Sequence, residues 1–142
     1  MRHRNGLNEA EREDLPMQSS RPEVFCAYIH AVTDNPRIRD FHAHIYFDPD
    51  EIDRARALGD AVRHRFGVSI GHYHRGPVGP HPRGSCQITI PPQLFGAVAQ
   101  WLVLNRDGLT IFAHASTGND TADHIRHTLW FGDSEALDLS IF

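Results

Sequence analysis

Residues 41–47 read FHAHIYF and alternate without a break. Successive side chains of a strand point to opposite faces. Phe41, Ala43, Ile45 and Phe47 therefore share one face, and His42, His44 and Tyr46 share the other. This stretch constrains the fold most. It calls for a strand with an apolar face turned to a core and an opposite face of two imidazoles and a phenol. A face of that kind points to a site or an interface rather than to ordinary packing.

The rest of the chain supplies partners for that strand. Its 142 residues suit one domain. Residues 1–36 are polar and charged and lack apolar periodicity over most of their length, so they read as a largely flexible N-terminal extension before a domain at 37–142. Within the extension, Val24–Val32 could be a short helix or an added edge strand, and the TDNP turn at 33–36 closes it off. Ile38–Phe47 is the first strand. Asp48-Pro49-Asp50-Glu51 opens a helix running to about Arg65, with Ala55, Leu58, Val62 and Phe66 as its apolar stripe and Gly67 as its stop. Val68–Tyr73 is a second strand, followed by a loop too rich in proline and glycine for regular structure. Ser85–Ile90 is a third strand, with Cys86, Ile88 and Ile90 on the core side. Pro91-Pro92 begins a second helix striped by Leu94, Val98, Trp101 and Leu102. Leu109–Ala115 is a fourth strand. Thr121–Trp130 has helical spacing at Ala122, Ile125 and Leu129, and 136–142 is a terminal strand or loop.

The order β-α-β-β-α-β plus a C-terminal helix predicts an α+β fold of the ferredoxin-like, split βαβ type. Four antiparallel strands carry two helices on one face. The first and third strands are central and the second and fourth are edges. The uncovered face then collects His42, His44, Tyr46, Gln87, Thr89, Phe112 and His114.

That face can carry metal chemistry. The chain has eleven histidines, six of them from His42 to His81. His42 and His44 lie roughly 7 Å apart along the strand, close enough to converge on one cation. His114 sits on a neighbouring strand, and His81 on a loop able to fold over the sheet. Three imidazoles, or two and a carboxylate, suit iron(II), zinc or nickel. No acid is assigned to the histidine face; Asp48 and Asp123 are the nearest candidates. The competing reading makes the pair a local hydrogen-bonding group and a dimer contact.

His72 and His74 form a second HxH at a strand end. Gly71 could introduce a bulge there and scramble the facing, and the pair reads as solvated. His64, among Arg63 and Arg65, reads as a solvated helix face. His124, beside Asp123 and three residues from His127, could serve as a general acid or base if the helix end caps the site. Cys86 reads as a buried, inert thiol. There is no GxSxG and no phosphate-cradling glycine loop.

The net charge of −4, histidines neutral, argues against nucleic acid or an anionic membrane as a partner. Val24–Val32 is far short of the roughly 20 residues that span a bilayer. Two widely separated cysteines fit a reduced, cytoplasmic protein.

HAHIYF at 42–47, PVGPHP at 77–82, WLVLNRDGLTIFAHASTG at 101–118 and DHIRHTLWFG at 123–132 together resemble the DOPA 4,5-dioxygenase family of fungal and bacterial type. The match covers about Ile38 to Phe142. One departure is visible: Ala115 follows His114 where the family usually has proline. The resemblance implies a small ferredoxin-like enzyme that cleaves a catechol beside one hydroxyl, using non-haem iron(II) and dioxygen. It implies His44, His81 and His114 as iron ligands, with zinc or nickel as substitutes, and His124, then His42, for proton transfer. Tyr46, Gln87 and Phe112 would meet the aromatic substrate. A homodimer is expected, because an open sheet face tends to be covered. The other classes to weigh are a non-catalytic dimeric metal- or small-molecule-binding module and another metal-dependent enzyme, such as a zinc hydrolase, on the same scaffold.

Overall fold

The structure is a computed structural model, and it describes residues 37–142. The expectations for residues 1–36, including Val24–Val32, lie outside the described residues. The strands are β1 (Asp40–Phe47), β2 (Ser69–His74), β3 (Gly84–Ile90), β4 (Ile111–Ser116) and β5 (Thr128–Phe131). The helices are α1 (Ile52–Phe66), α2 (Pro92–Asn105) and α3 (Asp120–Ile125). The strands form one antiparallel sheet in the order β2-β3-β1-β4-β5.

The alternation of β1 does what its period requires. Ala43, Ile45 and Phe47 enter the core with Cys86, Ile88 and Ile90 of β3 and Ile111 and Ala113 of β4. α1 and α2 cover that face through Ala55, Leu58, Val62, Val98 and Leu102. A 3-10 turn at Pro49–Glu51 leads into α1, where the Glu51 carboxylate accepts from the Asp48 backbone N–H at 2.8 Å. Gly67 closes α1 in the left-handed region at φ 69°, its N–H donating to Arg63 O. No helix among the described residues is long and apolar enough to cross a membrane.

One expectation changes. The sheet has five strands, not four, because the segment read as one helix over 121–130 splits. α3 stops at Ile125, and Thr128–Phe131 pairs with β4 as β5. The apolar stripe imagined on that helix is dismantled, and Ile125 and Leu129 stay exposed. β4 is consequently an interior strand, and among the described residues the edges of the sheet are β2 and β5. In β2 the bulge anticipated at Gly71 is present: its register with β3 shifts between Ile70 and Tyr73. Gly71 and His72 together oppose Gln87, a one-residue bulge.

Candidate functional site

β1 lies between β3 and β4, so its histidines meet side chains from both neighbours. His42 is the cross-strand partner of His114, and His44 is flanked by Phe112 and Gln87. One ring nitrogen from each of His42, His44 and His114 falls within 4.8 Å of the others. The closest approach is His44 Nε2 to His114 Nε2, 3.3 Å. Two imidazole nitrogens each about 2.1 Å from a shared ion stand roughly 3.0–3.4 Å apart at ordinary coordination angles, and the observed spacing falls in that window.

The protonation state agrees. Burial, reinforced by His81 and the other imidazoles, holds His44 well below the ordinary histidine range. Burial brings His81 down to about 4, with His124 and His114 adding to the effect. Burial likewise brings His114 to about 4, against the opposing pull of its bond to Ala115. These rings are neutral at pH 7, as metal ligation requires. His114 Nδ1–H donates to Ala115 O at 3.0 Å, which leaves the lone pair on the Nε2 that faces His44. The donor set thus fits a borderline first-row cation.

Around the trio stands a second set of rings. His81 lies 4.0 Å from His44 between ring centres, yet its Nδ1 is engaged with the Tyr46 hydroxyl at 2.8 Å. Burial, with Glu135 nearby, pushes the Tyr46 phenol well up, so it remains an O–H, hydrogen-bonded to His81 Nδ1. His124 packs 4.1 Å from His114, and its Nδ1–H donates to Asp120 O at 2.8 Å. Phe112 is fully enclosed among His44, His114, His124 and Trp130. Phe142 closes the far side, 4.9 Å from His124. The chain after β5 is tied down over this array. Arg83 grips Glu135 through Nε and Nη2, the shortest contact being 2.7 Å, and Asp138 N–H donates to Pro80 O at 2.9 Å.

A cleft of about 380 Å³ opens beside the trio, lined by His44, His81, Gln87 and Ser85 and walled by His72 and His74. The sequence-predicted residues therefore separate. His42, His44, His81, His114 and His124 gather in one cluster. Gln87 lines the cleft. Tyr46 and Phe112 are buried to 0 % exposure and do not line it. His127 turns away toward Asp123, 2.9 Å from its carboxylate.

Sequence reasoning missed Asp40. The histidine face of β1 does carry an acid: Asp40 has the parity of His42, and its Oδ1 lies 3.1 Å from His42 Nε2. That oxygen is buried and otherwise unpartnered. Counting back two residues from His42 was signal enough. His72 and His74 are exposed, in keeping with their reading as solvated, and the bulge at Gly71 turns both toward the sheet face that carries His44.

Asp123 sets the turn that carries His124. It is buried, accepts from the Thr117 hydroxyl at 2.6 Å and the Thr117 N–H at 2.7 Å, and pairs with His127. Against the burial that would raise it, these bonds hold its carboxyl at about 2. A carboxyl lowered on folding stabilises the fold above its unfolded value of about 3.8, and the benefit is lost as pH falls toward 2. Asp123→Asn is expected to lower Tm at neutral pH and to flatten the wild-type loss of Tm between about pH 4 and pH 2. A parallel acid limb in both proteins would show that Asp123 does not contribute it.

With this geometry in view, relatives can be set beside it. The family model described as the Dopa 4,5-dioxygenase family matches residues 41–141. The chain belongs to the Dopa 4,5-dioxygenase family. It is 34% identical over 131 residues to the DOPA 4,5-dioxygenase of Amanita muscaria, covering 86% of this chain and 56% of that protein. It is 31% identical over 113 residues to an uncharacterized 21.2 kDa protein of Botryotinia fuckeliana, covering 71% of this chain and 62% of that one. The chain thus spans 56% and 62% of the lengths of these curated relatives, less than two thirds of each. A crystal structure of a proposed dioxygenase from Nostoc punctiforme superposes with a TM-score of 0.72 at 40% identity, covering 75% of this chain and 93% of that chain. The segment matched by the family model contains the whole histidine cluster, from His42 to His124.

Proposed function

We propose that this chain is an extradiol ring-cleaving dioxygenase acting on a catechol, DOPA or a related catecholic acid, with iron(II) and dioxygen. The observation that carries the reading is the convergence of His42, His44 and His114 beside an open cleft, in a member of the Dopa 4,5-dioxygenase family. The strand order β2-β3-β1-β4 supports a ferredoxin-like core, with β5 added at its edge.

His42, His44 and His114 would hold the metal, with Asp40 as the carboxylate at its rim. This replaces His81 by His42 in the ligand set implied by the resemblance, because the ligand atoms of His42, His44 and His114 form the close trio and His81 stands outside it. A bound iron(II) ion would supply the redox coupling between the aromatic diol and dioxygen.

The surrounding residues divide the proton chemistry. His124 gives its Nδ1–H to Asp120 O, so its Nε2 is a lone pair able to take a catechol proton. With the Tyr46 hydroxyl donating to His81 Nδ1, the His81 Nε2 would carry a hydrogen able to donate to developing negative charge. Acceptor and donor stand 6.3 Å apart between ring centres, on either side of the array. Phe112, Trp130 and Phe142 pack against the far side of the cluster.

The test is direct. Protein purified without oxygen is given iron(II) and a panel containing DOPA, caffeate and simple catechols. Oxygen uptake with a yellow ring-opened product is expected. Absence of turnover on the whole panel, with iron bound, would sink the proposal. Zinc-supported turnover without oxygen consumption would point to a hydrolase instead.

A further inference from the structure

The histidines of β2 have no part in the chemistry above, and the bulge explains why they deserve one. Without it, residues 71 and 73 would share the site face, and His72 and His74 would turn to the helices. Instead Ile70 opposes Ile88, Tyr73 opposes Cys86, and both point to the core. The extra residue restores the parity on the far side, so His72 and His74 both reach the face that carries His44. Their rings stand 4.9 Å apart, edge to face, on the wall of the 380 Å³ cleft. Bulges beside sites commonly re-aim side chains in this way.

The chemistry of that wall is one-sided. The residues lining the cleft include four histidines, Ser85 and Gln87, and no Asp or Glu. Gln87 gives one of its two amide hydrogens to Thr89 Oγ1 at 3.1 Å. His72, His74, Ser85 and the second Gln87 N–H are the side-chain donors on this wall, and a neutral imidazole still offers one N–H. Hydrogen bonds from such donors to an ionised acceptor are about twice as strong as those between neutral groups. A volume of this size holds an aromatic ring with a short side chain.

We propose that His72 and His74 form a carboxylate-recognition subsite, so that the cleft selects an aromatic diol bearing a short anionic tail. The inference rests on reading this cleft as the catechol site. The tail lies toward β2 and the ring toward His44.

The test compares 3,4-dihydroxyphenylacetate with its amide, which has the same shape without the charge. Binding is measured by calorimetry on zinc-loaded protein, where no turnover is needed. Wild type is expected to prefer the acid by about tenfold or more. His72→Leu/His74→Leu should bring the ratio close to one. His72→Gln/His74→Gln, which keeps a donor at each position, should retain part of the preference. Equal binding of acid and amide by wild type, an unchanged ratio in the leucine pair, or binding of neither ligand would overturn the inference. The two readings fail separately. Acid preference without oxygen uptake on iron removes the dioxygenase and keeps the subsite. Oxygen uptake without acid preference does the reverse.

Discussion

Replacing His44 by alanine is expected to abolish metal retention. His44 is the hub of the cluster: its Nε2 is 3.3 Å from that of His114, and its ring lies 4.0 Å from His81. Removing it leaves His42 and His114, two donors with a gap between them where a third is required. After loading with iron(II) and desalting, wild type should hold near-stoichiometric metal and His44→Ala only background. Loss of a group that merely orients a ligand costs about 10–100-fold in metal affinity or activity, so loss of a ligand should reduce catechol turnover by at least about a hundredfold. A stability measurement gives an independent check. A ligand that binds the folded state raises Tm in proportion to its excess over Kd. Iron(II) should raise the Tm of wild type and leave that of His44→Ala unmoved. Unchanged metal content in the variant would show that the ion sits elsewhere.

The second large effect is on the fold. Phe112→Ala is expected to cost about 3–5 kcal/mol, the usual range for emptying a buried phenylalanine. For a domain of this size that lowers Tm by roughly 10 °C or more. The ring touches His44, His114, His124 and Trp130 at once, so the space it leaves opens within the imidazole array itself. Phe112→Leu separates packing from substrate stacking. Leucine keeps most of the volume, and such replacements cost about 1 kcal/mol. With the ring enclosed at 0 % exposure, KM for a catechol should be nearly unchanged in Phe112→Leu. A sharply raised KM at normal stability would restore the ring to contact with substrate.

Much of this was legible in the sequence, for a definite reason. Where one face is buried, the period of two fixes the facing of every residue, and FHAHIYF has no ambiguity. The same rule puts Cys86, Ile88 and Ile90 in the core and His114 on the histidine face of a neighbouring strand. The helices were legible because their stripes are buried where they were expected, at Ala55, Val62, Val98 and Leu102. Legibility failed where pairing overrode local pattern. Thr128–Phe131 continues a helical spacing begun at Ala122, and no glycine or proline separates the two. Its strand state comes from hydrogen bonding to β4, which local periodicity does not report. The facing of His72 and His74 stayed open for a related reason, since Gly71 signals a bulge without fixing it. A bulge adds one residue to the count, and parity read from sequence inverts beyond it. Asp40 is different: parity would have found it.

The bulge in β2 also bears on how the molecule meets copies of itself. An exposed strand edge is a row of unpaired N–H and C=O groups on which another chain can build. At one edge of this sheet β2 is broken at Gly71–His72 and followed within three residues by Pro77, so no long regular template is presented. At the other, β5 offers only the four residues Thr128–Phe131. The irregularity that turns two imidazoles toward the cleft thereby also guards the sheet against strand addition and the aggregation that follows from it.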